Sequence, residues 1–96
     1  MPACARVGDL CITHCSPPNC AEGSPDVFVN GLAWHRQYDK NTIHTRKVGK
    51  SCSPHFSILE SGSSTVYVNG VQAGRIGDPY IKCTAVAQGS PDVYSG

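Results

Sequence analysis

Apolar residues in this chain come in short runs, separated by polar segments that contain Gly and Pro. Two runs, residues 26–29 and 65–68, are rich in β-branched and aromatic side chains and are each followed by an Asn-Gly pair. Such runs favour strands, and Asn-Gly fits a type I′ turn because both central residues need positive φ. The pattern therefore predicts two β-hairpins, with return strands over residues 32–36 and 71–75.

The two hairpin segments are copies of one repeat. Residues 23–31 resemble residues 62–70, and each copy runs on for eight more residues to an Asp. The chain ends supply the remaining pieces, because residues 89–96 match the front half of the repeat and residues 2–9 match its back half. We therefore expect the two ends to lie side by side and the hairpins to close into an assembly with approximate threefold symmetry.

Polar connections that contain Pro and Gly link the predicted hairpins, and we expect them to be irregular. They cover residues 10–22, 40–61 and 79–88. The middle connection has 22 residues, a length that in a compact domain indicates a functional segment or one that is pinned in place. With 10 Gly and 7 Pro arguing against helices, the sequence predicts one all-β domain over residues 1–96.

Potential metal ligands occupy the same position in each connection. His14, His44 and Cys83 each follow the Asp of their repeat by five residues, so a threefold arrangement would bring these side chains to one axis. His55, in the longest connection, is the expected fourth ligand. Imidazole and thiolate are the usual ligands of zinc, and four protein ligands describe a closed structural site. Iron fits the same N₃S donor set and stays an alternative.

Size and charge narrow the classes of protein. A chain of 96 residues with few large apolar side chains is expected to need a staple such as a bound metal. The net charge of +1, with no basic run, argues against nucleic-acid binding. No apolar stretch approaches the roughly 18 residues of a membrane span, and the first residues do not resemble a secretory signal. We therefore expect synthesis in a reducing cytoplasm, where six Cys favour metal binding over disulfides.

The remaining reactive side chains have structural interpretations. Asp9, Asp39 and Asp78 are repeat positions expected to bond turn backbone, and His35, on a hairpin strand, is expected to be structural or solvent-facing. The other cysteines are read as small buried hydrophobic residues, with a second metal site or a disulfide formed in oxidising surroundings as alternatives; they are Cys4, Cys11, Cys15, Cys20 and Cys52. No catalytic residue is predicted, so we do not expect an enzyme.

At these repeats the whole chain resembles the PAAR-repeat proteins, named for a proline-alanine-alanine-arginine motif. Residues 2–9 are a close variant of the motif and residues 71–78 a looser one. The main departure is the middle copy, residues 34–39, which lacks the Gly before its Asp. The resemblance implies a small conical fold with zinc near its point, held by three His and one Cys. The matching ligands are His14, His44, His55 and Cys83.

The resemblance also implies a role and a partner. Members of this family cap a trimeric β-helical spike, one tip per trimer, on type VI secretion systems and contractile phage tails, where the tip contacts the target membrane transiently. We expect a monomer, assembled in the bacterial cytoplasm and finally carried at a virion tail tip or a secreted spike tip. An apolar face toward the spike would come from Val27, Val29, Val66 and Val68 or from their alternate neighbours.

Two other functions stay open from the sequence. One is a free-standing zinc-binding adaptor that joins other proteins or effectors. The other is a small zinc hydrolase that uses His14, His44 and His55 and keeps an open metal position; in that case Cys83 is not a ligand. Phage tail and secretion system are not distinguished by these residues.

Overall fold

The computed structural model describes residues 1–13 and 15–96, without the side chains of Arg46 and Lys47. In this part of the chain the strands form two-stranded antiparallel sheets, and there is no helix. The strands are β1 (Phe28–Val29), β2 (Leu32–Ala33), β3 (His44–Val48), β4 (Ser51–His55), β5 (Tyr67–Val68) and β6 (Val71–Gln72). The all-β prediction is therefore confirmed. Within the described residues, no helix has the length and apolar character needed to cross a membrane.

The two predicted hairpins are present, and their turns have the expected backbone. Strand β1 pairs with β2, and β5 with β6, across two-residue loops. Asn30 and Gly31 have φ of 55° and 77°, and Asn69 and Gly70 have φ of 55° and 82°. Positive φ at both central residues is the property of the type I′ turn, which matches the twist of the flanking strands.

The hairpin strands are shorter than predicted. Residues 32–36 and 71–75 were expected to be continuous strands, but only the first two residues of each belong to β2 and β6. The later residues turn from their own hairpin to another part of the chain. The bridges that they form join Arg6 to Trp34, Arg36 to Ala73 and Cys4 to Arg75. These residues therefore do form β-type pairs, but after the first two residues the pairing partner is a different segment of the chain.

The two ends of the chain lie side by side, as the divided repeat predicts. Ala3 forms an antiparallel bridge with Tyr94. The amide of Cys4 donates to the carbonyl of Val93, and the amide of Ser95 donates to the carbonyl of Pro2, both at 3.0 Å. The first and last segments thus form a short antiparallel pair in place of a continuous hairpin.

A ring of three backbone hydrogen bonds joins the segments at the centre. Ala5 donates to the carbonyl of Gly74 (3.0 Å), Gly74 to that of His35 (2.8 Å), and His35 to that of Ala5 (3.0 Å). All three residues are buried. A Cβ added at Gly74 would overlap the His35 carbonyl oxygen, so the ring closes at this distance because residue 74 has no side chain.

Each repeat Asp bonds the turn backbone, as predicted, and also an arginine. The carboxylates of Asp9, Asp39 and Asp78 accept from the amide of the residue three positions earlier, at 2.7–2.9 Å. That residue is always an arginine, whose guanidinium contacts the same carboxylate at 2.9–3.0 Å. The ion pairs were not predicted, although Arg and Asp recur at this spacing in all three copies.

The middle copy keeps this turn despite its divergent sequence. Gly8 and Gly77, which precede their Asp, have φ of 94° and 87°. Tyr38 stands at the equivalent position and adopts a φ of 74°. A left-handed conformation costs a side-chain-bearing residue roughly 1–2 kcal/mol. The Arg36–Asp39 pair and the surrounding chain therefore hold Tyr38 in a conformation that it does not favour.

His35 belongs to the buried core, so its structural interpretation is right and the solvent-facing alternative is wrong. Its ring donates from Nδ1 to the carbonyl of Glu22 (2.6 Å) and accepts at Nε2 from the Tyr80 hydroxyl (2.7 Å). Burial lowers the pKa of His35 below its ordinary value. Around the Tyr80 hydroxyl lie the thiols of Cys11 and Cys20, each 3.5 Å away. Burial raises the pKa of Tyr80, so its hydroxyl keeps the proton that it donates to His35.

The hairpin strands bury one side and expose the other. Val29 and Val68 are buried, whereas Phe28, Tyr67 and, at the matching position of the last segment, Tyr94 are 58%, 57% and 52% exposed. The sequence left open which set of alternating residues faces outward. In the structure the outward-facing set is the aromatic one, Phe28, Tyr67 and Tyr94.

The prediction that the middle connection is irregular is wrong. Strands β3 and β4 form a five-residue hairpin there, with Val48 opposite Ser51 across a loop that begins at Gly49 (φ 61°). Polar residues dominate both strands, so the apolar pattern that identifies a half-buried strand is absent. Residues 48–52 are all exposed, and Pro54, which cannot donate to a sheet, lies in this isolated two-stranded ribbon.

Candidate metal centre

Three of the four predicted ligands converge in the structure. The Sγ atom of Cys83 lies 3.3 Å from Nε2 of His44 and 3.3 Å from Nε2 of His55. The ligand atoms of all three residues lie within 4.8 Å of one another. The two imidazole rings meet edge to face, with centroids 4.4 Å apart. His44 is buried, and the other two are partly buried.

The β3–β4 hairpin explains why two histidines eleven positions apart meet. His44 begins β3 and His55 ends β4, and the register places them directly opposite each other. Side chains at opposite positions of an antiparallel pair share a face, with Cβ atoms about 5 Å apart. The sequence argument chose His55 only to complete a ligand set. The useful signal was a hairpin between the histidines, which the polar sequence did not reveal.

Cys83 reaches the same point from a tight turn after β6. Lys82 has a φ of 44°, and the amide of Tyr80 donates to the carbonyl of Thr84 (2.8 Å), which closes the turn around Cys83. Tyr80, at the base of this turn, is anchored in the core by its bond to His35. The thiol is thus positioned by backbone geometry and by a buried anchor.

Neighbouring polar groups orient two of the donors. His44 donates from Nδ1 to the carbonyl of Thr42 (2.8 Å), which leaves the Nε2 lone pair directed at the cluster. The side-chain amide of Asn41 donates from Nδ2 to the Sγ atom of Cys83, at 3.8 Å. Asn41 is itself fixed, because its Oδ1 accepts from the amide of Ser57 (2.8 Å). Such outer partners are characteristic of metal-binding His and Cys.

The donor set and spacing fit a metal ion. Zinc bonds of about 2.0–2.1 Å to nitrogen and 2.3 Å to sulfur give a tetrahedral N–S edge of about 3.6 Å. The two observed N–S distances of 3.3 Å are near that value. His44, His55 and Cys83 therefore form a group that could hold a metal ion. His14, the remaining predicted ligand, lies outside the described residues, and its role stays a prediction.

A disulfide links Cys15 to Cys52, with Cα atoms 6.0 Å apart. For these two cysteines the disulfide alternative therefore holds, and their interpretation as buried hydrophobic residues is wrong; both are exposed. The disulfide joins the first connection to β4, and the Cys15 amide also donates to the Thr45 carbonyl (3.1 Å). Cys4, Cys11 and Cys20 are buried, as predicted. The sequence did not show that the two connections pack together, so it could not identify the bonded pair.

Most of this chain is similar to a segment of a much longer toxin. No family model matches it. Double-stranded DNA deaminase toxin A of Burkholderia cenocepacia (strain H111) is 30% identical over 78 residues, which are 79% of this chain. The chain spans only 5% of the length of that toxin. The similarity therefore concerns a small segment of a much longer protein.

Proposed function

We propose that this chain is a PAAR-like tip protein that caps a trimeric β-helical spike of a contractile injection machine and has no catalytic activity of its own. In this proposal the repeats form a conical domain with approximate threefold symmetry, and a structural zinc ion fastens its point. The proposal has separate parts, which concern the symmetry, the face toward the spike and the metal.

The amide ring of Ala5, His35 and Gly74 is the observation that carries the proposal. These residues occupy equivalent positions, each directly before the arginine of its repeat. Each donates to one of the other two and accepts from the third. A cyclic pattern between equivalent positions is what a threefold axis requires. It supports a domain whose base can match the true threefold end of a trimer.

Contacts between successive copies repeat in the same sense. The Asn69 side chain accepts from the Ser24 hydroxyl (2.6 Å) and donates to Asp26 (2.9 Å). Asn30 makes the same two bonds, to Ser90 (2.6 Å) and Asp92 (2.8 Å). Each Asn also accepts from an arginine of the repeats, Asn30 from Arg6 and Asn69 from Arg36. Gly96 stands at the equivalent position of the last segment, and its carbonyl accepts from Arg75 instead. These contacts support the same arrangement independently of the central ring.

The face toward the spike is assigned to the exposed aromatic residues of the repeats. Phe28, Tyr67 and Tyr94 occupy equivalent positions, and each is more than half exposed. Three large apolar side chains related by a threefold axis present one to each subunit of a trimer. Their burial would supply the apolar core of that interface, where aromatic residues are enriched.

Zinc is the metal that this donor set favours. His44, His55 and Cys83 would hold it, and His14 would complete four protein ligands, which leaves no position for a reacting water. In this role the residues join the middle and last connections at one point, and metal binding adds directly to folding stability. A structural role agrees with a short chain that has a small core.

The similarity to a toxin does not change this assignment. The zinc-deaminase signature combines a His-x-Glu motif with a Pro-Cys-x-x-Cys motif, and this sequence contains neither. PAAR-repeat proteins include members that carry toxin domains, so a match to 5% of a toxin agrees with a shared tip module. The module would be assembled in the bacterial cytoplasm and end at a virion tail tip or a secreted spike.

Mass measurement of the complex with a trimeric β-helical spike protein of the same organism tests the role. We expect one chain per trimer. The change Phe28→Ser with Tyr67→Ser should abolish this complex, whereas Ile43→Ser, at an exposed residue of the middle connection, should not. Absence of a one-to-three complex with wild-type protein would refute the spike role.

Metal analysis tests the other part of the proposal. We expect one zinc per chain after purification without chelator, and its loss in His44→Ala and Cys83→Ser. If Cys83→Ser retained a full equivalent of metal, the assigned ligand set would be wrong, and the open zinc position of a hydrolase would be favoured.

A further inference from the structure

The net charge of +1 conceals a separation of charge along the fold. Residues 10–21, 40–59 and 79–88, which are the connections without the one or two residues that precede the next repeat, contain no Asp or Glu; Glu22 and Glu60 lie at those excluded ends. Their basic residues are Lys40, Arg46, Lys47, Lys50 and Lys82. The rest of the chain has three Arg and all seven acidic residues, a net charge of −4. Those three Arg are the partners of the repeat Asp residues.

The connections form one surface, because they bond to one another. The amide of Ile12 donates to the carbonyl of Ala85 (2.9 Å), and the Ser57 hydroxyl donates to the carbonyl of Ile81 (2.6 Å). The Cys15–Cys52 disulfide joins the first connection to the middle one. We call this part of the molecule, which also contains the candidate metal centre, the connection end. Lys40 lies at its border, since the Glu22 carboxylate accepts from the Lys40 amide.

The connection end also exposes apolar side chains. Among the described residues, every connection contributes at least one; they are Leu10 (45% exposed), Ile12 (56%), Ile43 (75%), Val48 (50%), Phe56 (50%) and Ile81 (39%). The Lys40 ammonium lies 5.3 Å from the centre of the Phe56 ring. Basic and apolar groups are thus mixed on the same surface.

We infer that the connection end binds the surface of an anionic lipid bilayer. This inference deepens the proposed function, because it gives the tip a preferred target, a membrane rich in phosphatidylglycerol or a similar acidic lipid. Basic side chains are attracted to the acidic headgroups, and apolar side chains next to them enter the boundary between headgroups and acyl chains. The separate acidic remainder of the chain would be held away from such a surface.

Mixed apolar and basic character favours a membrane over a nucleic acid. Nucleic-acid binding relies on basic residues with polar or stacking partners, and exposed isoleucines next to a phosphate backbone would gain nothing. Ile43, which is three-quarters exposed, adds to binding only when it leaves water. A bilayer interface offers that environment together with the negative charge.

Flotation with vesicles tests the inference on the purified, metal-loaded protein. We expect binding to vesicles of 30% phosphatidylglycerol in phosphatidylcholine, and little binding to pure phosphatidylcholine. Each basic residue near an anionic surface strengthens binding about fivefold, so Lys50→Gln with Lys82→Gln should weaken it about 30-fold. The change Ile43→Ser should weaken it about tenfold, because an exposed apolar side chain no longer enters the bilayer.

Matched variants separate the connection end from the rest of the molecule. Glu60→Gln raises the net charge by one just beyond residues 40–59, where the middle connection meets the next repeat, and we expect unchanged vesicle binding. Phe28→Ser with Tyr67→Ser should lose spike binding and keep vesicle binding, whereas Lys50→Gln with Lys82→Gln should do the reverse. The two proposals can therefore fail separately.

Three results would overturn the inference. The first is equal binding to acidic and neutral vesicles. The second is binding that rises with Glu60→Gln as much as it falls with loss of one lysine, which would indicate an effect of net charge alone. The third is binding to a short DNA duplex that is tighter than binding to acidic vesicles at the same salt concentration, which would identify a nucleic-acid surface instead.

Discussion

Replacing Gly74 by alanine should damage the protein far more than the same change at Gly77, only three residues away. The new Cβ at residue 74 would overlap the carbonyl oxygen of His35, which accepts from the Gly74 amide. At Gly77 the new Cβ would have no atom within 4 Å, but the residue has a φ of 87°. Comparison of the two variants therefore separates the cost of a steric overlap with the backbone from the cost of an unfavourable φ.

The expected magnitudes differ severalfold. At Gly77 the left-handed conformation costs roughly 1–2 kcal/mol, and the smaller conformational freedom of unfolded alanine returns about 0.4–1 kcal/mol, so about 1 kcal/mol is lost. At Gly74 the overlap costs about 1–3 kcal/mol. Opening the ring adds about 1 kcal/mol for each of its two hydrogen bonds at this residue. The total is about 3–5 kcal/mol.

Thermal unfolding, with the same concentration of added zinc in every sample, measures both changes. For a domain of this size, 1 kcal/mol corresponds to about 4–8 °C, so Gly77→Ala should lower Tm by that amount. Gly74→Ala should lower it by at least 12 °C or prevent folding at 37 °C. Ala5→Gly, at the equivalent ring position, is a control that should cost about 1 kcal/mol. Equal effects of the two Gly→Ala changes would refute the central ring.

Three further predictions concern the disulfide, the buried histidine and the contacts between copies. Reduction of the Cys15–Cys52 bond, which closes a 37-residue span, should cost about 3–4 kcal/mol in denaturant unfolding, and a reductant should not affect Cys15→Ser; identical midpoints with and without reductant would contradict this. His35 has a folded pKa below its unfolded value of about 6.5, so the unfolded state binds more protons and the wild type loses stability as pH falls through 6.5. The stability deficit of His35→Ala should therefore shrink between pH 7.5 and 5.5, by up to about 1.4 kcal/mol per pH unit, and a constant deficit would exclude a lowered pKa. Asn69→Gly keeps the positive φ of the turn but loses the bonds to Ser24 and Asp26, so chemical denaturation should show a loss of about 1–2 kcal/mol, and no loss would show that these bonds add nothing to stability.

The repeat was the part of the fold that the sequence predicted well. Asn-Gly pairs after β-branched runs fixed the turns of the β1–β2 and β5–β6 hairpins, because only a few residue types tolerate two positive φ values in succession. The front and back halves of the repeat at the chain ends predicted that the two ends would lie side by side, and Ala3 indeed pairs with Tyr94. Both features depend on local backbone chemistry or on sequence identity between copies.

The connections were predicted less well because their structure depends on contacts between distant segments. Strands β3 and β4 carry few apolar residues, and their pairing is supported by neighbours such as Ser16, whose hydroxyl accepts from the Thr45 amide (2.9 Å). The Cys15–Cys52 disulfide was missed for the same reason, because it depends on the packing of two distant connections. The equivalent positions of His44 and Cys83 in the repeat correctly predicted that these two side chains would meet. No local sequence pattern could have placed His55 opposite His44.

The adjacent chain ends have a consequence for any polypeptide attached to this domain. Since Ala3 pairs with Tyr94, a segment joined at either end would leave the molecule from one place, among the repeats and not among the connections. A polypeptide fused to this domain could therefore be exchanged, duplicated or moved from one end to the other without rebuilding His44, His55 or Cys83.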